Sequence, residues 1–201
     1  MTSSDTSIIR ELAESGARLR TEFFEANLER VAHVSRTIAN RLVRGGKVLF
    51  FGNGGSAADS QHLAAEFVSR FRMERPPLPA IALTTDTSVL TAVGNDYGFE
   101  ELFSRQVRAL AGEEDVVVGI TTSGSSPNVI RALESAGERG AYRVGLTGSQ
   151  GGAIVDCSET AFHVPSDVTA LIQEIHIAAG HAICRMTEYY LFEAIEELDL
   201  E

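Results

Sequence analysis

Apolar residues recur every three to four positions through the first 44 residues: Ile8, Leu12, Leu19, Phe23 and Leu28, then Val31, Val34, Ile38 and Leu42. That period is helical and predicts two helices, over about 6–28 and 29–44, the second stopped by Gly45-Gly46. The pattern then changes to short apolar runs at 47–51, 80–84, 116–120, 142–146 and 161–164. Runs of that length without polar alternation suit strands buried on both faces of a parallel sheet. Helical stretches separate them, at about 56–72, from Ser88 with a break at Gly94–Gly98 and resumption over Phe99–Ala111, and at 128–139. Pro76, Pro77 and Pro79 lead into the second strand, and Pro127 after Ser126 is a capped helix start. A long helix over about 169–198 closes the chain.

Alternating strands and helices predict one α/β domain built on a five-stranded parallel sheet, with extra helices at the N-terminus. Right-handed crossovers and helices on both faces make the doubly wound order 2-1-3-4-5 the leading topology. Strands one and three are then neighbours, and ligands bind beyond their carboxyl ends, where the chain reverses direction. The turns found there would be 52–56 and 121–126, the two richest in Gly, Ser and Thr.

The first turn, Gly52-Asn53-Gly54-Gly55-Ser56, runs into Ala57-Ala58-Asp59. Its glycines allow a sharp turn that leaves N–H groups uncovered, and Ser56 reads as an N-cap with Asp59 as its capping-box partner. Strand, glycine turn and helix N-terminus together make an anion site, with Gly54, Gly55 and Ser56 against the ligand. The second turn offers the hydroxyls of Thr121, Thr122, Ser123, Ser125 and Ser126, a neutral cradle suited to a phosphomonoester. The plain alternative is a capped, solvated loop. No GxxxxGK[ST] is present. Gly52–Ala57 fits G-x-G-x-x-A, but the acid expected about 20 residues on is missing, and Asp86 lies more than thirty beyond Gly54. A short phosphosugar fits better than a dinucleotide.

His62 and Glu66 lie four apart on one helical face. Spacing alone makes them a surface pair more often than a site, yet the closing helix carries Gln173 and His181 roughly on one side. His33 and His163 read as structural; His176 could face core, solvent or site.

Composition adds exclusions. The chain of 201 residues is 44% apolar and 22% charged, as in ordinary soluble proteins, and no apolar run approaches the ~20 residues of a membrane span. Met1–Asp5 lacks a signal-peptide pattern, and Cys157 and Cys184 fit no ligand spacing, so reduced thiols and a cytoplasmic location are expected. A net charge of −11 argues against nucleic-acid or anionic-membrane partners. Much of it is terminal: Glu188, Glu193, Glu196, Glu197, Asp199 and Glu201 read as a solvated helix face and tail. An anionic ligand must then be held by local geometry.

The set Gly52–Asp59, Gln61-His62, Glu66, Arg75-Pro76-Pro77, Leu83-Thr84, Gly94–Tyr97, Thr122–Gly124 with Ser126 and Asn128, Leu146–Gly148, Gly151-Gly152, Gln173-Glu174, His176 and His181 resembles the sugar isomerase (SIS) domain family. Within it the chain looks like the phosphoheptose isomerases, which interconvert sedoheptulose 7-phosphate and D-glycero-D-manno-heptose 7-phosphate. The resemblance implies zinc held at His62, Glu66, Gln173 and His181, with Glu66 and His181 as the acid/base pair. It implies phosphate at Ser56, Thr121, Ser123 and Ser126, and sugar contacts at Asn53, Asp96 and Thr122, with Gln173 also beside the substrate. It further implies a homotetramer with sites near subunit contacts. The family usually shows Ser-x-Asp-Thr-x-(Arg/Lys)-Ile-Gln-Glu, whereas this chain has Ser166-Asp167-Val168-Thr169-Ala170-Leu171-Ile172-Gln173-Glu174. The acid stands one place early, and Leu171 replaces the basic residue.

Aldose–ketose isomerisation needs a base over the carbon, an acid at the oxygens and a positive centre for the developing oxyanion. The four metal positions favour an enzyme over a non-catalytic SIS protein that binds a phosphosugar or a partner as a regulator. An isomerase acting on another phosphosugar remains a further alternative. A metal-bound Glu66 is a weaker base than a free one: either it shifts off the metal when substrate binds, or another group takes the proton.

Overall fold

The computed structural model describes residues 3–199; Met1, Thr2 and Glu201, which entered the readings of the termini, lie outside them. The order of elements is α1 (Ser3–Val43), β1 (Val48–Gly52), α2 (Gly55–Val68), β2 (Ala80–Ala82), α3 (Thr87–Asp96), α4 (Ser104–Leu110), β3 (Val116–Ile120), α5 (Pro127–Glu138), β4 (Tyr142–Thr147), β5 (Thr160–His163) and α6 (Thr169–Phe192). Short 3₁₀ turns lie at Phe99–Glu101 and Ile195–Glu197. The sheet has the expected order β2-β1-β3-β4-β5, with parallel pairing throughout.

Both faces of the sheet are covered. Val48, Phe50, Val116, Val118, Val144 and Leu146 point to a layer made by α1, α2 and α6, through Phe23, Val34, Ile38, Leu63, Phe67, Ile175 and Ile183. Leu49, Phe51 and Val117 point the other way, to α3, α4 and α5. This two-sided burial explains the unbroken apolar runs. Among the described residues no helix is long and apolar enough to cross a membrane.

Several boundaries differ from the sequence reading. The two N-terminal helices are one 41-residue helix. The junction has no glycine or proline, and Asn27, which could have capped a break, instead donates its side-chain amide back to the Phe23 carbonyl (2.8 Å). β2 spans three residues rather than five. The closing helix stops at Phe192, and Leu198 beyond it packs back onto Tyr190 and Ala39. Glu188 is not part of a solvated face: its side chain is 1% exposed and paired with Arg75. Cys184 is buried and Cys157 half-buried, both as free thiols.

Candidate active site

The turns after β1 and β3 meet, as expected for the switch point. They close a pocket of about 310 Å³ lined by Asn53, Gly54, Gly55, Ser56, Ile120, Thr121, Thr122, Ser123, Ser126, Thr169 and Gln173. No lysine or arginine is in that lining. The helices α2 and α5 both begin here, so two positive dipole ends face a space rimmed by neutral hydroxyls.

The hydroxyls of the second turn order one another. Thr121 Oγ1 lies 2.8 Å from Ser126 Oγ and 3.2 Å from Ser123 Oγ, and the Ser125 N–H donates to Ser123 Oγ (3.3 Å). Ser126 occupies the N-cap position of α5 without a side-chain capping bond, its hydroxyl being engaged with Thr121. In the first turn the capping-box reading is overturned. Gly54 holds the N-cap position at φ 57°, a conformation that strains residues with side chains, and this pushes Ser56 inside the helix, where it is buried and lines the pocket. Asp59 caps nothing: its Oδ2 is buried without a hydrogen-bond partner, and burial pushes its carboxyl up against an opposite pull from His62. The acid considered for a dinucleotide ribose, Asp86, is used as the N-cap of α3, accepting from the Val89 N–H.

Asn53 and Asn128 exchange two amide hydrogen bonds of 2.9 and 2.8 Å across the crevice. Thr169, Ile120 and this role of Asn128 were not read as site residues from the sequence, although Thr169 and Asn128 stand in the stretches that carry the family resemblance. Asp96 is not brought to the pocket. It sits exposed at the end of α3, accepting from the Asn95 amide. The two departures from the family pattern also find places. Asp167 is engaged by Ser149 and Gln150, which hold its carboxyl below the usual range, and Leu171 packs against the apolar layer under α1.

Beside this pocket, α2 and α6 run parallel, and two glycines let them close. A Cβ on Gly55 would come within 2.3 Å of the Gln173 amide nitrogen, and one on Gly180 within 2.4 Å of Leu63 Cδ2. The first contact seats Gln173 over the pocket. The second brings His181, next to Gly180, against His62, next to Leu63. His181 Nε2 is 3.0 Å from His62 Nε2, and His62 Nε2 is 3.0 Å from Glu66 Oε1.

His62, Glu66 and His181 each offer a ligand atom within 4.8 Å of the others. Tetrahedral ligands about 2.0–2.1 Å from zinc stand roughly 3.3 Å apart, close to the spacings seen. Two imidazoles and one carboxylate are also a donor set that zinc accepts while keeping an open position. Burial, with His62 and then Arg20 adding to it against Glu66, pushes the His181 imidazole down, which favours the neutral, ligating form. The residues fit a divalent ion. Cys184, nearby on α6, has its thiol pushed up by burial, so it stays protonated.

Known proteins resemble this chain along nearly its whole length. The SIS domain model matches residues 12–148. A phosphoheptose isomerase of Solidesulfovibrio magneticus is 58% identical over 191 residues, covering 95% of this chain and 93% of that protein. One of Aquifex aeolicus is 51% identical over 185 residues, 92% of this chain and 97% of that protein. The solved phosphoheptose isomerase of Neisseria gonorrhoeae superposes with a TM-score of 0.85 at 43% identity, over 92% of this chain and 99% of that one. That of Francisella tularensis gives 0.86 at 42%, over 93% and 98%. The chain belongs to the SIS domain family and, within it, to the phosphoheptose isomerases.

Proposed function

We propose that the protein interconverts sedoheptulose 7-phosphate and D-glycero-D-manno-heptose 7-phosphate. The observation that carries this reading is the His62–Glu66–His181 cluster on the same two helices that frame the hydroxyl-lined pocket. His62 stands seven positions after Gly55 on α2, roughly 10 Å along the helix, a span that suits a phosphate at one end and reacting carbons at the other.

Ser56, Thr121, Ser123 and Ser126 hold the phosphate, and Asn53 and Thr122 the sugar hydroxyls. Held at His62, Glu66 and His181, with Gln173 as the fourth donor, zinc would polarise the substrate oxygens as a Lewis acid. Glu66 moves the proton between C1 and C2, and His181 exchanges protons with the adjoining oxygens. Because a carboxylate bound to a cation is a weak base, the proton-transfer step belongs to a Glu66 turned toward the carbon. The protein acts as a cytoplasmic homotetramer with sites near subunit contacts, and Asp96, which does not line its own chain's pocket, contacts the sugar across such a contact.

The test follows aldose formation from sedoheptulose 7-phosphate, with melting curves and zinc content measured alongside. Glu66→Gln and His181→Ala should each lower kcat about 10²–10⁴-fold while remaining folded. Well-folded variants with near-normal turnover would rule the catalytic assignment out.

A further inference from the structure

The Arg75-Pro76-Pro77 segment takes no part in the pocket or the histidine cluster, yet Arg75 is one of the most thoroughly bonded residues in the chain. Its side chain is 2% exposed, and Nε donates to Glu188 Oε1 at 3.0 Å. The guanidinium also donates to the carbonyl of Glu66 (2.8 Å) and to that of Phe67 (2.8 Å). These belong to the last turn of α2, where carbonyls lose their helical partners. Glu188 in turn accepts from the Phe71 N–H (3.1 Å) and the Arg72 N–H (3.2 Å). The Phe71 ring thus held stacks on His181, with centroids 5.3 Å apart and planes 29° apart.

One buried ion pair therefore touches both arms of the cluster: the backbone of Glu66 from one side, and through Phe71 the ring of His181 from the other. Stability alone is a weak reason for such a pair, since well-packed apolar residues often do as well. Directional bonds are what it adds. We propose that Arg75 and Glu188 are a positioning pair that sets Glu66 and His181 at ligating distance. This rests on the cluster being a metal site.

The experiment titrates metal-free protein with Zn²⁺ against a competing chelator, and with inorganic phosphate as a control at the far end of α2. Melting curves establish that each variant is folded at the working temperature. Glu188→Gln and Phe71→Leu should weaken zinc binding about 10–100-fold, the range for residues that orient metal ligands, with phosphate affinity unchanged within about twofold. Phe71→Leu decides the matter if Glu188→Gln does not fold, because it leaves the ion pair in place. A merely structural role would lower the melting temperature and leave zinc affinity of the folded protein at the wild-type value; that result, or equal losses of zinc and phosphate, would overturn the proposal. Wild-type protein that takes up no zinc would overturn the metal reading, and the positioning role with it.

Discussion

Two residues show how environment, rather than type, sets behaviour. Ser123 shares its hydroxyl with Thr121 and Ser125 and faces the pocket, and a phosphate bound there, being remote from the reacting carbons, would be contacted alike in ground and transition states. Ser123→Ala should raise KM at least about tenfold, the worth of a hydrogen bond to a charged group, with kcat nearly unchanged. Steady-state kinetics showing an unaltered KM would count against the phosphate assignment. His176 is buried, its Nε2 3.2 Å from the Thr147 carbonyl and its Nδ1 without a partner. Burial pushes it down to about 4. The folded state thus refuses a proton that the unfolded chain accepts near 6.5. Its contribution is complete above about pH 6.5, falls as pH drops toward about 4, and reaches on the order of 3 kcal/mol. Denaturant midpoints measured at pH 7 and pH 5 should converge in His176→Gln, whose amide keeps the donor without the charge. Equal pH dependence in both proteins would sink this account.

Among the elements, the α2–α6 seam is what turns scattered polar residues into a site. Gly180 sets how closely the helices approach, and Leu63 opposite it is fully buried, with no room to retreat. A methyl group there gains up to about 1 kcal/mol of helix propensity but forces an overlap worth about 1–3 kcal/mol. Gly180→Ala should therefore lower the melting temperature by about 2–4 °C per kcal/mol of net loss, with weaker zinc uptake because His181 is the next residue. A variant that melts higher and binds zinc normally would show the approach to be slack.

At the level of the whole molecule, the exposed face of α1 bears on assembly. Ile8 is 66% exposed, Ile9 63% and Leu12 55%, along a helix whose later turns are built into the core, and Leu28 is 65% exposed further on. Such a stripe on a protein of net charge −11 favours burial against a second copy over a dispersed monomer. Light scattering at micromolar concentration should return four times the chain mass. A monomer mass would remove the tetramer and, with it, the place proposed for Asp96.

The sequence by itself determined the sheet, its order and the meeting of the two polar turns, because strand burial and turn chemistry are local in period and composition. Val116–Ile120 lies where the apolar run put it, and the 52–56 and 121–126 turns share one pocket. The i,i+4 pair of His62 and Glu66 was legible for the same reason, being one turn of one helix. Only the tertiary structure decided the rest. It ran α1 through Asn27, took the capping role from Ser56, left Asp96 outside the pocket and buried Glu188 against Arg75. The first two turn on local choices that the pattern leaves open, but the burial of Glu188 and the closing of the cluster turn on partners far along the chain: Arg75 and Glu188 stand 113 residues apart, His62 and His181 119. Charge and spacing cannot report such contacts, because burial belongs to the packed whole.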